Sequence, residues 1–203
     1  MNSTSNSMGR YVKIGLGVVV AVFLVKGCSS YNSLVSLDEQ VQNSWGQVEN
    51  QYQRRADLIP NLVATVKGYA QHEEETFTKV TEARAKATST TIDASKLDEQ
   101  GLQRFQANQD ALSSALSRLM VVSERYPELK ASEQFQNLQA QLEGTENRIT
   151  TARMDFNNTA KQYNTEVRSF PMNMLAGMFG FSPRPYFKAK EGSDSAPQVD
   201  FGK

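Results

Sequence analysis

The sequence predicts an all-α protein, in which an N-terminal transmembrane helix precedes an elongated antiparallel four-helix bundle with two long and two shorter helices. Three observations support this fold class. The middle of the chain is rich in Gln, Ala, Glu, Leu and Arg, which is the composition of long helices. Apolar residues recur there at alternating spacings of four and three, as in a coiled coil. Near the N-terminus, residues 14–25 contain no charge.

Composition excludes several classes of function. The 203 residues carry 22 basic and 22 acidic side chains, so nucleic acid is not an expected partner. One cysteine, Cys28, excludes an intramolecular disulfide and a cysteine-based zinc site, and the single histidine, His72, leaves little to bind a metal. No nucleophile, base and orienting group occur together, so we predict that the protein is not an enzyme and needs no cofactor.

The N-terminal segment is predicted to attach the chain to a bacterial inner membrane. Residues 1–8 form a polar leader. Residues 9–28 can cover about 30 Å as a single-pass helix, because lysines at both ends of the uncharged run can extend toward the headgroups. A lipoprotein signal with lipidation at Cys28 is the alternative, although Lys26 fits such a signal poorly. Arg10 and Lys13 favour a periplasmic domain, and Lys26 counteracts that bias.

The predicted bundle, residues 31–170, is assigned from its apolar positions. A seam of apolar residues begins at Leu34, and further seams follow in the second half of the chain. Two of them end at prolines, Pro127 and Pro171, which cannot continue a helix. The predicted helices cover residues 31–69, 72–87, 102–126 and 128–170, with a linker over residues 88–95.

A polar layer is predicted halfway along the bundle. When the four helices are aligned by their connections, Arg55 falls level with Gln109 and Thr145, and each of the three interrupts an apolar seam. The second helix ends at this height, so four helices should thin to three. We expect Glu143 or Glu146 to pair with Arg55, because burying an arginine without a partner is strongly unfavourable.

Residues around Arg55 are further candidates for interaction. Pro60 should free the backbone carbonyl of Ala56 and bend the helix. Arg54 and Asp57 are predicted to form an ion pair on the helix surface. Together with Arg55 they could instead recognise an anionic group.

The C-terminal part of the chain is predicted to lie at the membrane. Because the fourth helix descends to the level at which the first leaves the bilayer, the apolar residues 171–187 should lie at the bilayer surface and contact lipid through residues 172–181. Residues 188–203 are expected to form a flexible tail.

Three stretches of the chain resemble a known family. The first covers residues 43–87 and reads NSWGQVENQYQRRADLIPNLVATVKGYAQHEEETFTKVTEARAKA. It resembles the LemA family, and RRADLIPNLV is its most specific part. The C-terminal half of that family is resembled by residues 147–171, NRITTARMDFNNTAKQYNTEVRSFP, and by residues 180–189, GFSPRPYFKA.

The resemblance implies a bacterial membrane protein with a short N-terminus, one transmembrane helix and an antiparallel helical domain. It implies no enzymatic activity and brings no catalytic residues. Some relatives are linked to membrane-organelle formation in magnetotactic bacteria, which suggests a scaffold for those relatives and does not transfer to this chain. The family is described with its N-terminus outside the cell, which would place the domain in the cytoplasm. Since the charge bias favours the opposite side, both orientations stay open.

Two functions follow as hypotheses. The first is a non-enzymatic, membrane-anchored scaffold or adaptor, which presents its helical rod to protein partners or to its own copies. The thinner half of the bundle should leave apolar helix faces uncovered, and such faces bind partners. The alternative is a membrane-tethered sensing or signalling domain with a ligand pocket at the Arg55 polar layer.

Overall fold

A computed structural model describes the backbone of residues 4–188 and the side chains of residues 13–17 and 29–188. Six α-helices occupy most of this range: α1 (Thr4–Tyr69), α2 (Glu74–Ser89), α3 (Glu99–Arg125), α4 (Pro127–Lys130), α5 (Glu133–Arg168) and α6 (Met172–Leu175). Short 3₁₀ helices lie at Ala94–Lys96 and Ala176–Phe179. The described part of the chain is therefore all-α, as predicted.

The long helices pack in antiparallel pairs, α1 against α5 and α2 against α3. The direction follows from contacts at two heights. Trp45 lies 5.6 Å from Phe156 between ring centroids, and ten residues further along α1 Arg55 contacts Glu146. As residue numbers rise along α1 they fall along α5. We call the end near Tyr31 the lower end and the end near Tyr69 the upper end.

Apolar side chains form two separate cores. The upper core fills the space among α1, α2, α3 and α5, and it includes Leu62, Val80, Leu119 and Phe135. The lower core lies among α1, α3 and α5, and it includes Trp45, Phe105, Phe156 and Tyr163. Arg55 and Gln109, both buried, lie between the two cores.

The lower half of the bundle is covered on its fourth side, which corrects a sequence-based prediction. Helix α2 ends at Ser89, so the rod does lose a helix below the polar layer. The vacated side is filled by the linker after α2, through Ile92 and Leu97, and by the C-terminal segment, through Met172 and Phe187. The apolar faces of α1, α3 and α5 in this lower half are therefore covered, and Trp45, Phe105 and Phe156 are almost fully buried. Counting helices alone overlooked these non-helical segments.

The C-terminal segment packs against the bundle, and its predicted contact with lipid stays a prediction. Residues 171–188 fold back onto the bundle, and Met172, Ala176, Arg184 and Phe187 are buried there. The chain reverses at Gly180, whose φ of 80° is readily adopted by glycine. The part of the predicted tail beyond Lys188 lies outside the described residues.

The predicted fourth helix is divided in two. Pro127 begins the short helix α4, and the chain then turns through Ser132, whose ψ of 122° is extended. Leu129 before the turn and Phe135 after it are both buried in the upper core. The turn lets both side chains reach that core.

Within the described residues, no helix is long and apolar enough to cross a membrane. Much of the predicted anchor, residues 9–28, falls outside the side chains that the structure describes, and Cys28 is among those residues. The anchor therefore stays a prediction.

Candidate functional site

Arg55 forms the centre of the polar layer, which consists of Arg55, Gln109, Ser113 and Glu146. Its Nη2 donates to Gln109 Oε1 at 2.6 Å and more weakly to the Gln109 carbonyl at 3.3 Å. Its Nη1 donates to Glu146 Oε1 at 2.6 Å and to Ser113 Oγ at 2.9 Å. The guanidinium carbon lies 5.1 Å from the ring centre of Tyr52. Charged hydrogen bonds of this kind offset the cost of burying the arginine.

The polar layer also joins the end of α2 to the rest of the bundle. Gln109 Nε2 donates to the carbonyl of Ala87 at 3.3 Å, which places the second helix's last turn at the height expected from the sequence. Thr145 is buried at this level too, but its hydroxyl bonds the Gln141 carbonyl of its own helix. Of the two glutamates considered as partners, Glu146 contacts Arg55, whereas Glu143 accepts from Gln139.

Pro60 leaves the backbone carbonyl of Ala56 without its partner inside α1, as expected. Arg84 of α2 supplies a replacement, because its Nε donates to that carbonyl at 2.8 Å. The proline thus creates an acceptor that ties α2 to α1. The predicted bend at Pro60 stays a prediction.

Arg54 and Asp57 do not form the predicted ion pair. Asp57 instead accepts a hydrogen bond from Gln53 Nε2 at 2.7 Å, one helical turn earlier, and none of the ion pairs of the described residues joins it to Arg54. Arg54 lies on the α5 side of α1, in a shallow depression with Thr145 and Arg148. Arg55 is buried and protein groups bind both of its terminal nitrogens, so it does not share a surface anion site with Arg54.

A second polar cluster, which the sequence analysis missed, holds the C-terminal segment on the bundle. Asn164 donates to the carbonyl of Arg184 at 2.8 Å and accepts from its backbone N–H at 2.7 Å. Asn157 makes the same pair of bonds with Phe187, at 3.0 and 2.9 Å. Each side-chain amide therefore satisfies both backbone groups of one residue. We call these four residues, together with Asp38, which accepts a hydrogen bond from Arg184, the tail clasp.

In the tail clasp, the distance between the two asparagines along helix α5 matches the distance between their two partner residues along an extended chain. Asn157 and Asn164 lie seven residues apart on α5, or about 10 Å along the axis. Arg184 and Phe187 are three residues apart, also about 10 Å when the backbone is extended. Pro185 keeps Arg184 out of helical geometry, so the segment presents its backbone groups at the interval that the asparagines require.

Arg184 joins three regions of the chain. Its Nη2 donates to Asp38 Oδ1 near the start of the bundle, and its Nη1 donates to the Ser95 carbonyl in the linker, both at 2.7 Å. The side chains of Arg184 and Asp38 are only 8% and 17% exposed. The Arg184 guanidinium also lies 5.7 Å from the ring centre of Tyr163. Burial raises the pKa of the Tyr163 hydroxyl, as expected inside a core.

Phe187 completes the lower aromatic core. Its ring stacks on Trp45 at 6.0 Å between centroids and meets Phe156 edge-on at 5.5 Å. Arg153 covers the outer face, with its guanidinium carbon 4.6 Å from the ring centre. The sequence offered one signal for this arrangement: Asn157 directly follows the seam residue Phe156, and Asn164 likewise follows Tyr163.

Glu49 lies beside this core, on the α1 side. Burial raises the pKa of its carboxyl, and the nearby Trp45 indole N–H, whose geometry falls short of a full hydrogen bond, offsets part of that rise. A carboxyl with a raised pKa in the folded state binds its proton more tightly there. The free energy of unfolding therefore falls as the pH rises from the ordinary pKa of 4.5 through the raised value.

We predict that Glu49→Gln stabilises the protein at neutral pH and has no such effect in acid, below the ordinary pKa of a glutamate. Thermal unfolding of the full chain in detergent micelles, followed by circular dichroism at both pH values, measures this difference. The solvent-exposed Glu39→Gln is the matched control on the same helix. A Glu49→Gln variant that is less stable than wild type at neutral pH would contradict the prediction.

The described residues contain no group of three or more His, Cys, Asp and Glu side chains that could hold a metal ion. An open cavity of about 250 Å³ adjoins the polar layer between α1 and the end of α2. Tyr52, Gln109 and Glu49 contribute to its lining, whereas Arg55 does not.

Comparisons with known proteins give a consistent result. A family model described as the LemA family matches residues 44–201. The chain is similar to Magnetosome protein MamQ 2 of Paramagnetospirillum magneticum, with 27% identity over 96% of this chain and 79% of that protein. It is 26% identical to Magnetosome protein MamQ of Magnetospirillum gryphiswaldense, over 95% and 79% of the two chains. Protein LemA of Metamycoplasma hominis is 22% identical over 86% of this chain and 76% of its own.

Proposed function

Because this chain belongs to the LemA family, we propose that it is a non-enzymatic scaffold or adaptor, anchored in a bacterial inner membrane through residues 9–28. The domain above the membrane holds a stiff helical rod, which presents its surface to protein partners or to further copies of the chain. Lipidation at Cys28 is the alternative form of anchor. The side of the membrane on which the rod lies is part of the test below.

The continuity of α1 carries this proposal. A single helix runs from Thr4 to Tyr69, through the uncharged run and along the full height of the bundle. The part above Tyr31 is about 60 Å long at 1.5 Å per residue. Arg55, Arg84 and Arg184 tie neighbouring segments to this helix. A rod built in this way keeps a binding surface at a fixed height above a membrane.

Photo-crosslinking in living cells tests the scaffold proposal. A photoreactive amino acid at Val121 or Met154, two exposed apolar positions on the rod, should give a discrete adduct after irradiation. An adduct of twice the chain mass of 22.6 kDa identifies self-association, and another mass identifies a different partner. Protease treatment of intact spheroplasts decides the side of the membrane. Absence of any discrete adduct across such exposed positions would contradict a scaffold.

The cavity beside the polar layer favours a sensing domain as a second candidate. Gln109 lines that cavity, accepts a hydrogen bond from Arg55 and donates one to the carbonyl of Ala87. A ligand in the cavity could therefore change how α2 is attached to the rest of the bundle. Arg55 itself has both terminal nitrogens engaged by protein groups, which supports a structural role for the layer. We expect Arg55→Met to leave the cellular function intact. A folded Arg55→Met protein that has lost a ligand response would support sensing instead.

A further inference from the structure

Large apolar side chains remain exposed at the lower end of the rod. We call this set the apolar cap, and its members with their exposed fractions are Phe170 (76%), Met174 (70%), Met178 (81%) and Phe179 (51%). No charged residue occurs between Arg168 and Arg184. An exposed apolar patch of this kind is unusual for a surface in water and marks an interaction site.

The apolar cap is held in place by neighbouring residues that are packed in the lower core. Met172 and Ala176 alternate with its members along the chain and are only 2% exposed, packed in the lower core. The carbonyl of Ala176 accepts from the N–H of Phe181 at 2.9 Å. With one side of the segment docked in the core, Met174 and Met178 face outward and cannot turn inward without undocking it.

Tyr31 fixes the height of the apolar cap relative to α1. Its ring lies 5.2 Å from that of Phe179 and 5.7 Å from that of Phe181. Tyr31 follows Cys28, the last residue of the proposed anchor, by three positions on the same continuous helix, which is about 4.5 Å. The polar interfacial layer on each side of a bilayer core is about 5–8 Å thick. The cap therefore lies within that layer.

We propose that the apolar cap is a second membrane contact, which inserts into the lipid–water interface of the membrane that α1 enters. The inference rests on the proposed anchor and deepens it. Aromatic side chains favour this depth, and flexible methionines can adapt to disordered lipid. A single helix can rotate and tilt in a bilayer, whereas a second contact beside that helix fixes the orientation of the rod. The cap would thereby determine which face of the rod points away from the membrane.

Tryptophan fluorescence in vesicles tests this proposal with the full chain. The natural Trp45 is 1% exposed and lies about 20 Å above Tyr31 along α1, so brominated lipid should not quench it. Met178→Trp adds a reporter to the apolar cap. Met154→Trp is the matched control, because Met154 is equally a solvent-exposed methionine, 61% exposed, but lies halfway up the rod.

In vesicles of brominated phosphatidylcholine, we expect most of the emission added by Met178→Trp to be quenched, while Met154→Trp and wild type are unaffected. Flotation of the vesicles separates the two proposals. If the protein floats and the Met178→Trp emission stays unquenched at a water-exposed wavelength, the cap inference is wrong and the anchor stands. Unquenched but blue-shifted emission would mean that a second copy covers the cap, which also overturns lipid contact. Failure to float would overturn the anchor and this inference together.

Discussion

Replacing Phe187 with alanine is expected to lower the free energy of unfolding by about 3–5 kcal/mol, the cost of truncating a large buried aromatic side chain. Phe187 is 6% exposed and packs against Trp45 and Phe156, so its loss opens a cavity in the lower core. Because Trp45 is the single tryptophan, its emission should also shift to longer wavelength as water enters. Urea unfolding of the full chain in detergent micelles, followed by fluorescence and circular dichroism, measures both effects.

Phe179→Ala provides the control for this prediction. Phe179 is an aromatic residue of the same C-terminal segment but is 51% exposed, so its removal should change stability by less than about 1 kcal/mol. Equal effects of the two substitutions would mean that the C-terminal segment does not complete the core.

Gln109→Leu is the second substitution with a large expected effect. It removes the acceptor of the 2.6 Å bond from Arg55 and the donor to the Ala87 carbonyl, and leucine cannot replace either. A buried polar group left without a partner costs about 1–3 kcal/mol, and more when it is charged. We therefore expect a loss of about 3 kcal/mol.

The double variant Gln109→Leu with Arg55→Met should recover most of that loss. Replacing both partners of a buried polar contact by apolar groups of similar shape can be nearly neutral. Recovery to within about 1 kcal/mol of wild type would show that the cost lies in the Arg55 Nη2 group, which loses its side-chain acceptor in the single variant. Simple addition of the two single effects would contradict a coupled polar layer.

The helical framework could be predicted because its signal is local. The four-three spacing of apolar residues fixes which side of each helix is buried, and the prolines at 127 and 171 mark where helices end. Aligning helix lengths also placed Arg55 level with Gln109. Such counting works because each residue advances a helix by the same 1.5 Å.

The tail clasp could not be predicted in this way. Its bonds join asparagine amides to main-chain atoms, and any residue other than proline offers the same main-chain groups. No periodic pattern therefore marks residues 182–188 as part of the core. The ion pair of Arg184 with Asp38 spans 146 positions of the chain. Pairing charges by their spacing along one helix could not reveal this contact. The same spacing rule predicted Arg54 as the partner of Asp57, whereas the partner is Gln53.

The division into two cores has a consequence for the order of folding during synthesis. The upper core needs residues from Ile59 to Leu142, whereas the lower core extends from Leu34 to Phe187. A growing chain emerges from the ribosome in sequence order, and non-local contacts must wait for their later partner. The lower half of the rod, although it lies nearest the N-terminal segment, therefore folds last. A chain that ends before Phe187 would have a folded upper core and exposed aromatic residues of the lower core, which quality-control proteases can recognise.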